Sequence, residues 1–245
     1  MLWMLPAAFL AYFVKGLCGF ANTLIFSTLL SFVYDNVNIS PVELIVGYPA
    51  NLVIAWRERR SIDWKICLPV SLLVLLGNIP GVFLLKNADT SSIKSLFGLV
   101  IMAVGIEMLL RERRPARAGK SSGGSRVTLA VIGLLSGLLC GLYGIGALLA
   151  AYMSRVTDDS SSFRGNLCAV FLTENTFRLI LYASTGILTL PVLKQALCVL
   201  PAMGAGLGLG LWSGRFLREQ TIRRITLVLL ILSGAALLLT QLRAG

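Results

Sequence analysis

Lys15-Gly16-Leu17-Cys18-Gly19-Phe20-Ala21-Asn22 lies in the middle of about thirty mostly apolar residues, and 125 residues after Gly16 the pattern returns as Gly141-Leu142-Tyr143-Gly144-Ile145-Gly146 in an equally apolar setting. Glycine weakens a helix and lets the backbone leave helical geometry. At membrane depth such backbone is tolerated only where it is buried in protein or lines a cavity. Two breaks at matching places in two halves of a chain point to a transporter's binding site.

The setting is a membrane chain throughout. Of 245 residues, 56% are hydrophobic and only 13% charged, against roughly 25% charged in a soluble domain; mean hydropathy is +0.83. Apolar runs of about 18 or more residues recur along the length, which predicts an all-α polytopic membrane protein. Met1 to Phe13 lacks the basic stretch of a signal peptide and no small-residue cleavage site follows, so it reads as mature sequence. The net charge of +11 would suggest nucleic acid in a soluble protein. Here the basic residues sit in short loops between apolar segments, which makes topology the better explanation and leaves no nucleic-acid partner. Cys18, Cys67, Cys140, Cys168 and Cys198 all lie in apolar segments without a C-x-x-C pair, so neither a disulfide framework nor a zinc site is indicated. Histidine is absent. No metal or other cofactor is expected.

Eight hydrophobic segments are read at about 3–33, 41–56, 65–85, 91–110, 127–154, 163–185, 190–214 and 221–242. Ser40-Pro41-Val42-Glu43 reads as a capping box that starts the second; the sixth follows Ser160-Ser161-Ser162. The basic, Gly/Ser-rich stretch 111–126 divides a first membrane repeat, 1–110, from a second, 127–245. Asn51 matches Asn175; Gly77 and Gly81 match Gly204 and Gly208; Ile93 and Gly105 match Ile222 and Gly234, in preserved order. Together these support duplication of a four-segment unit. The glycines from Gly204 to Gly214 read as helix packing.

If all eight segments cross, Lys and Arg divide 12 against 8 between the two sides. If segments 1 and 5 are re-entrant, the loops 57–65, 111–126, 155–164 and 215–224 share one side and the division becomes 16 against 4. The second arrangement obeys the positive-inside rule far better. It puts Trp56, Trp64 and Trp212 at one cytoplasmic interface and both termini outside, and it inverts one repeat relative to the other.

The breaks create new helix N-termini near Gly19–Asn22 and Gly144–Ala147, whose unpaired N–H groups and positive dipole ends suit an anion. Ionisable residues within membrane segments cost about 2.5–3.5 kcal/mol each at the centre and so face a partner or a wet cavity. Lys15 precedes the first break; Glu174 and Arg178 are four apart on one face of segment 6. The substrate-binding set read from the sequence is Lys15, Gly16, Gly19, Phe20, Asn22, Asn51, Gly141, Gly144, Gly146, Asn175 and Arg178, with Glu174 as charge partner or proton carrier. Pro49 beside Asn51 frees a backbone carbonyl one turn earlier, and Asn78 with Pro80 is a weaker candidate of the same kind. The structural alternative makes Glu174 and Arg178 a simple ion pair, the asparagines interhelical glue and the glycines packing positions.

Lys15-Gly-Leu-Cys-Gly-Phe-Ala-Asn22 resembles the first-repeat signature of the TauE/SafE sulfite exporter family, and Gly137-Leu-Leu-Cys-Gly-Leu-Tyr-Gly-Ile-Gly146 is similar to the second, within a four-segment plan matching essentially the whole chain. The resemblance implies multi-pass proteins of the bacterial plasma membrane that move small sulfur-containing anions, such as sulfite or organosulfonates, usually outward. Ala21 stands where glycine is common, Ala147 follows Gly146, and neither signature runs on into its later proline. The expectation is a secondary transporter or facilitator of a small anion, not an enzyme, with the substrate and the lipid bilayer as partners and a homo-oligomer left open. No P-loop is present, and the missing histidine and G-x-S-x-G elbow argue against an intramembrane hydrolase. The alternative is a non-transporting membrane subunit or scaffold, for which Lys15, Asn22 and Arg178 would be dispensable.

Overall fold

A computed structural model describes residues 3–30, 36–87, 126–143, 146–157 and 159–218, with isolated positions at 102, 106 and between 220 and 239. Most of the fourth segment, the basic linker up to 125 and most of the eighth segment lie outside the described residues, as do Ile93 and Gly105, matched above to the eighth segment.

The described residues are helical, with no strand. The helices are α1 (Met4–Cys18), α2 (Asn22–Leu30), α3 (Asn36–Arg57), a 3-10 turn (Arg59–Ser61), α4 (Trp64–Asn87), α5 (Arg126–Tyr143), α6 (Ala147–Val156), α7 (Ser160–Ser184) and α8 (Leu190–Ser213). Among the described residues three stretches are long and apolar enough to cross a membrane: Ile39–Arg57, Trp64–Gly81 and Leu190–Ser213. By contrast α1, α2 and α6 have 15, 9 and 10 residues. At 1.5 Å per residue they reach about 22, 14 and 15 Å, short of the roughly 30 Å hydrocarbon core.

The first break has a defined geometry. Gly19 ends α1 with φ +84, and its N–H reaches the carbonyl of Lys15 at 2.6 Å, the left-handed cap that glycine adopts without a Cβ penalty. Two residues on, Ala21 also lies at φ +73 and is the one non-glycine residue with positive φ among the described residues. Glycine is thus the residue this backbone favours at position 21. The second break needs no such conformation, since α6 begins at Ala147 from Gly146 at φ −96 and ψ 22.

Each broken segment packs along a helix of the other half. Gly206 and Gly210 of α8 and Gly214 just after it lie against Phe9, Phe13 and Leu17 of α1 in turn, so the two helices run parallel. On the other side Gly133 and Gly137 of α5 lie against Leu73, Val74 and Gly77 of α4, again parallel. Backbone meets backbone at both seams, as small residues allow. The matched glycines Gly77 and Gly204 therefore do not play matched parts: Gly77 is in the α4–α5 seam, but Gly204 and Gly208 face open space, and Gly206 and Gly210, four apart on the opposite face, make the α8 contact.

Between these pairs α3 and α7 run antiparallel. Glu58 meets Arg164 at 3.2 Å, Tyr48 meets Thr176 at 3.1 Å and Ser40 meets Tyr182 at 3.3 Å. The turn after α3 also rests on the start of α7, where Asn166 accepts the Asp63 N–H at 2.7 Å. The 57–63 turn and the α6–α7 junction consequently occupy the same end of the bundle. Trp56, Trp64 and Trp212 are all exposed.

Two helix starts differ from the sequence expectation. α3 begins at Asn36, with Pro41 inside it, so Ser40 and Glu43 form no capping box. Ser40 turns to Tyr182, and the Glu43 carboxylate is buried. α7 is capped by Asp159, which accepts the Ser162 N–H at 2.8 Å and its hydroxyl at 2.7 Å, so the serines form its first turn. Those two hydrogen bonds hold the Asp159 carboxyl below the usual carboxylate range.

Candidate anion site between the helix breaks

Where a helix stops, its last four carbonyls lose their partners. In α5 one of these, on Cys140, accepts from Arg178 Nη1 at 2.7 Å. In α1 the Leu17 carbonyl accepts from Arg164 Nη1 at 3.4 Å. An arginine of α7 thus caps each broken helix. Arg178 also lies 3.7 Å from Glu43 through Nη2 and 3.7 Å from Glu174 through Nε, and its guanidinium sits over the Tyr182 ring.

A second cation approaches from α1. Lys15 Nζ donates to Asn22 Oδ1 at 2.8 Å and lies 5.6 Å from the centre of the Phe171 ring. Asn22, the first residue of α2, passes its other side-chain group on: Nδ2 donates to Glu43 Oε1 at 2.5 Å, where Thr23 Oγ1 also donates at 2.8 Å. Glu174 Oε1 accepts from Asn78 Nδ2 at 2.7 Å. Lys15, Glu43, Glu174 and Arg178 are each at most 4% exposed. Two charges of each sign, closely set, offset the several kcal/mol that burying each ion alone would cost.

These residues enclose a narrow cavity of about 20 Å³, room for about one water. It is lined from both breaks, by Phe20, Ala21 and Asn22 on one side and Gly146 and Ala147 on the other, and from α3 and α7 by Glu43, Asn51, Phe171, Glu174, Asn175 and Arg178, with Lys15, Thr23 and Leu24. The Asn51 side-chain oxygen is buried without a hydrogen-bond partner among the described residues.

The structure therefore brings together Lys15, Phe20, Asn22, Asn51, Gly146, Glu174, Asn175 and Arg178 from the sequence-read set. Three others stand apart from the lining. Gly16 is in the α1–α8 seam, where a Cβ would lie 2.7 Å from the Leu207 carbonyl oxygen. Gly19 turns the chain and faces Arg164. Gly141 is buried in the last turn of α5 but does not reach the cavity. Gly144 lies outside the described residues.

Glu43, Thr23, Leu24 and Phe171 are the lining residues the sequence reading passed over. Glu43, Gly47 and Asn51 are spaced by four along α3, and Phe171, Glu174, Asn175 and Arg178 follow the three-four spacing of one helical face. A Cβ on Gly47 would lie 3.2 Å from Glu43 Oε1, so the stripe leaves room for the carboxylate. Reading Glu43 as the end of a capping box concealed it.

The family model described as Sulfite exporter TauE/SafE matches residues 4–237, nearly the whole chain. Neither a curated protein nor a solved structure matches the sequence. The glycine-broken pair of segments, the cavity at their tips and this match agree, and the chain belongs to the sulfite exporter TauE/SafE family of membrane transporters.

Proposed function

We propose that this protein carries a small sulfur-containing anion, such as sulfite or an organosulfonate, outward across the bacterial plasma membrane, with the cavity between the breaks as its binding site. The observation that carries the reading is Lys15. Its ammonium is buried beside the cavity and held by a neutral amide, with no carboxylate in salt-bridge contact among the described residues. A buried cation so held is a natural receptor for an anion. Arg178 supplies a second positive group. Because the cavity holds about one water, a larger anion requires its walls to part, as expected of one state in an alternating cycle.

The topology we propose is multi-pass with α1–α2 and α5–α6 as re-entrant hairpins from opposite faces, in two inverted repeats. The contact of the 57–63 turn with the start of α7 supports this, since two crossing broken segments would put these loops on opposite sides. Flux of sulfite, methanesulfonate and sulfate in proteoliposomes tests the function. Wild type is expected to move at least one of them over protein-free vesicles, with Lys15→Gln and Arg178→Ala each lowering the rate tenfold or more. Equal rates in all three proteins, or none above background in wild type, would count against the site.

A further inference from the structure

The four buried charges of the cavity sum to zero: Lys15 and Arg178 against Glu43 and Glu174. An anion entering this site adds a full negative charge, against which the starts of α2 and α6 set only partial positive charge and no further cation lines the cavity among the described residues. Given the transport reading above, on which this step rests, we infer that one proton enters the site with each monovalent anion, resides on Glu43 and crosses with it, outward on export and inward when the proton gradient is directed inward, with Asn22 as the link between the two.

The geometry distinguishes Glu43 from Glu174. Arg178 stands 3.7 Å from both carboxylates and supplies one charge between them. The second positive charge, Lys15, reaches only Glu43, and does so through the two ends of the Asn22 amide. When an anion takes Lys15, Glu43 loses the balancing charge while Glu174 keeps Arg178 and Asn78. A proton arriving from the aqueous side at Glu43 Oε1 changes that oxygen from acceptor to donor. Asn22 Nδ2 can then no longer donate to it. Rotation of the amide turns Oδ1 toward the new O–H, which withdraws Oδ1 from Lys15. The ammonium is freed at the moment the cavity gains the positive charge that holds the anion. Thr23 Oγ1, the other donor to Oε1, turns away or accepts.

The other titratable or charged groups around Glu43 are Tyr12 and Lys15 on α1, Glu174 and Arg178 on α7 and Cys140 on α5. Tyr12 and Cys140 are neutral when protonated and leave the charge count unchanged. The Tyr12 hydroxyl is buried without a hydrogen-bond partner among the described residues. It lies near the same face of Gly47 as Glu43 Oε1 and the Asn22 amide nitrogen, and offers a turned Asn22 a further contact.

The experiment uses the full chain in proteoliposomes and methanesulfonate as probe, because this anion carries no proton of its own near neutral pH, unlike sulfite. An inside pH dye and labelled anion are followed together. Wild type is expected to acidify the lumen by one proton per anion taken up and, with the outside more acidic, to accumulate the anion by about tenfold per pH unit. In Glu43→Gln, accumulation against the gradient should vanish at whatever rate the variant still exchanges. Anion uptake by wild type without lumen acidification would overturn the inference and leave the transport reading standing; this arm does not depend on any variant folding. A gradient response kept in Glu43→Gln and lost in Glu174→Gln would also overturn it. Absence of flux for sulfite and sulfate as well as methanesulfonate would instead overturn the transport reading and the inference with it.

Discussion

Arg178 holds the Cys140 carbonyl oxygen at 2.7 Å, so the residue that places positive charge in the cavity also closes the end of the broken helix α5. Removing it leaves Glu43 and Glu174 buried with one cation fewer and takes a donor from the Cys140 carbonyl. Arg178→Met is expected to destabilise the protein by about 3–5 kcal/mol, a fall of roughly 6 °C or more in the thermal midpoint in detergent. Arg178→Met with Glu174→Gln should recover part of the loss. A single variant that melts with wild type would show that Arg178 is not a structural keystone.

Ala21 occupies a left-handed conformation at φ +73, which costs an alanine about 1–2 kcal/mol relative to the right-handed region. Glycine escapes that cost but gains freedom in the unfolded chain. Ala21→Gly is therefore expected to raise stability by about 1 kcal/mol, seen as a higher melting temperature. A lower one would place the backbone of the break elsewhere.

Gly146 and Gly208 separate site from surface. A Cβ on Gly146 would lie 2.2 Å from two carbons at the edge of the Phe171 ring, whereas one on Gly208 meets nothing within 4 Å. Gly146→Ala should displace the ring that faces Lys15 and cost about 1–3 kcal/mol. Gly146→Ala with Phe171→Leu should regain much of this. Gly208→Ala should be neutral or stabilising by up to about 1 kcal/mol, as for an open position in a helix interior. Thermal melts of the three proteins, with equal losses for both single changes, would contradict the packing described.

Asp159 links stability to pH outside the membrane segments. Its carboxyl is held low by the Ser162 N–H and hydroxyl. Because the folded value lies below the unfolded one, its contribution is fully present above the ordinary aspartate range and is lost as pH falls through the folded value. Asp159→Ala is expected to cost about 1 kcal/mol near neutral pH. The gap from wild type should narrow when melts are repeated in strong acid; a constant gap would point to packing instead of charge.

The breaks were legible because glycine in an apolar run has few other uses at membrane depth, and Lys15, Asn22, Glu174 and Arg178 because charge and amide groups are costly there. Glu43 was hidden by a local pattern that also spells a helix start. Pairwise glycine matching along the chain put Gly204 and Gly208 in register with Gly77 and Gly81. Which face of α8 meets a neighbour depends on where α1 lies, and spacing within one helix carries no information about that. Phe171 is an ordinary apolar residue by composition, and only the approach of Gly146 and Lys15 gives it a place in the site.

The glycine seams divide the molecule along lines that chain order does not draw. α1 is laid against α8, backbone to backbone, and α5 against α4 in the same way, while α3 and α7 stand between. Surfaces meeting without intervening side chains have no slack to slide or shear. The most closely packed units are thus α1 with α8 and α4 with α5. Each pair joins a helix from before the basic stretch 111–126 to one from after it, so an opening that keeps the pairs intact would part both from the α3–α7 layer.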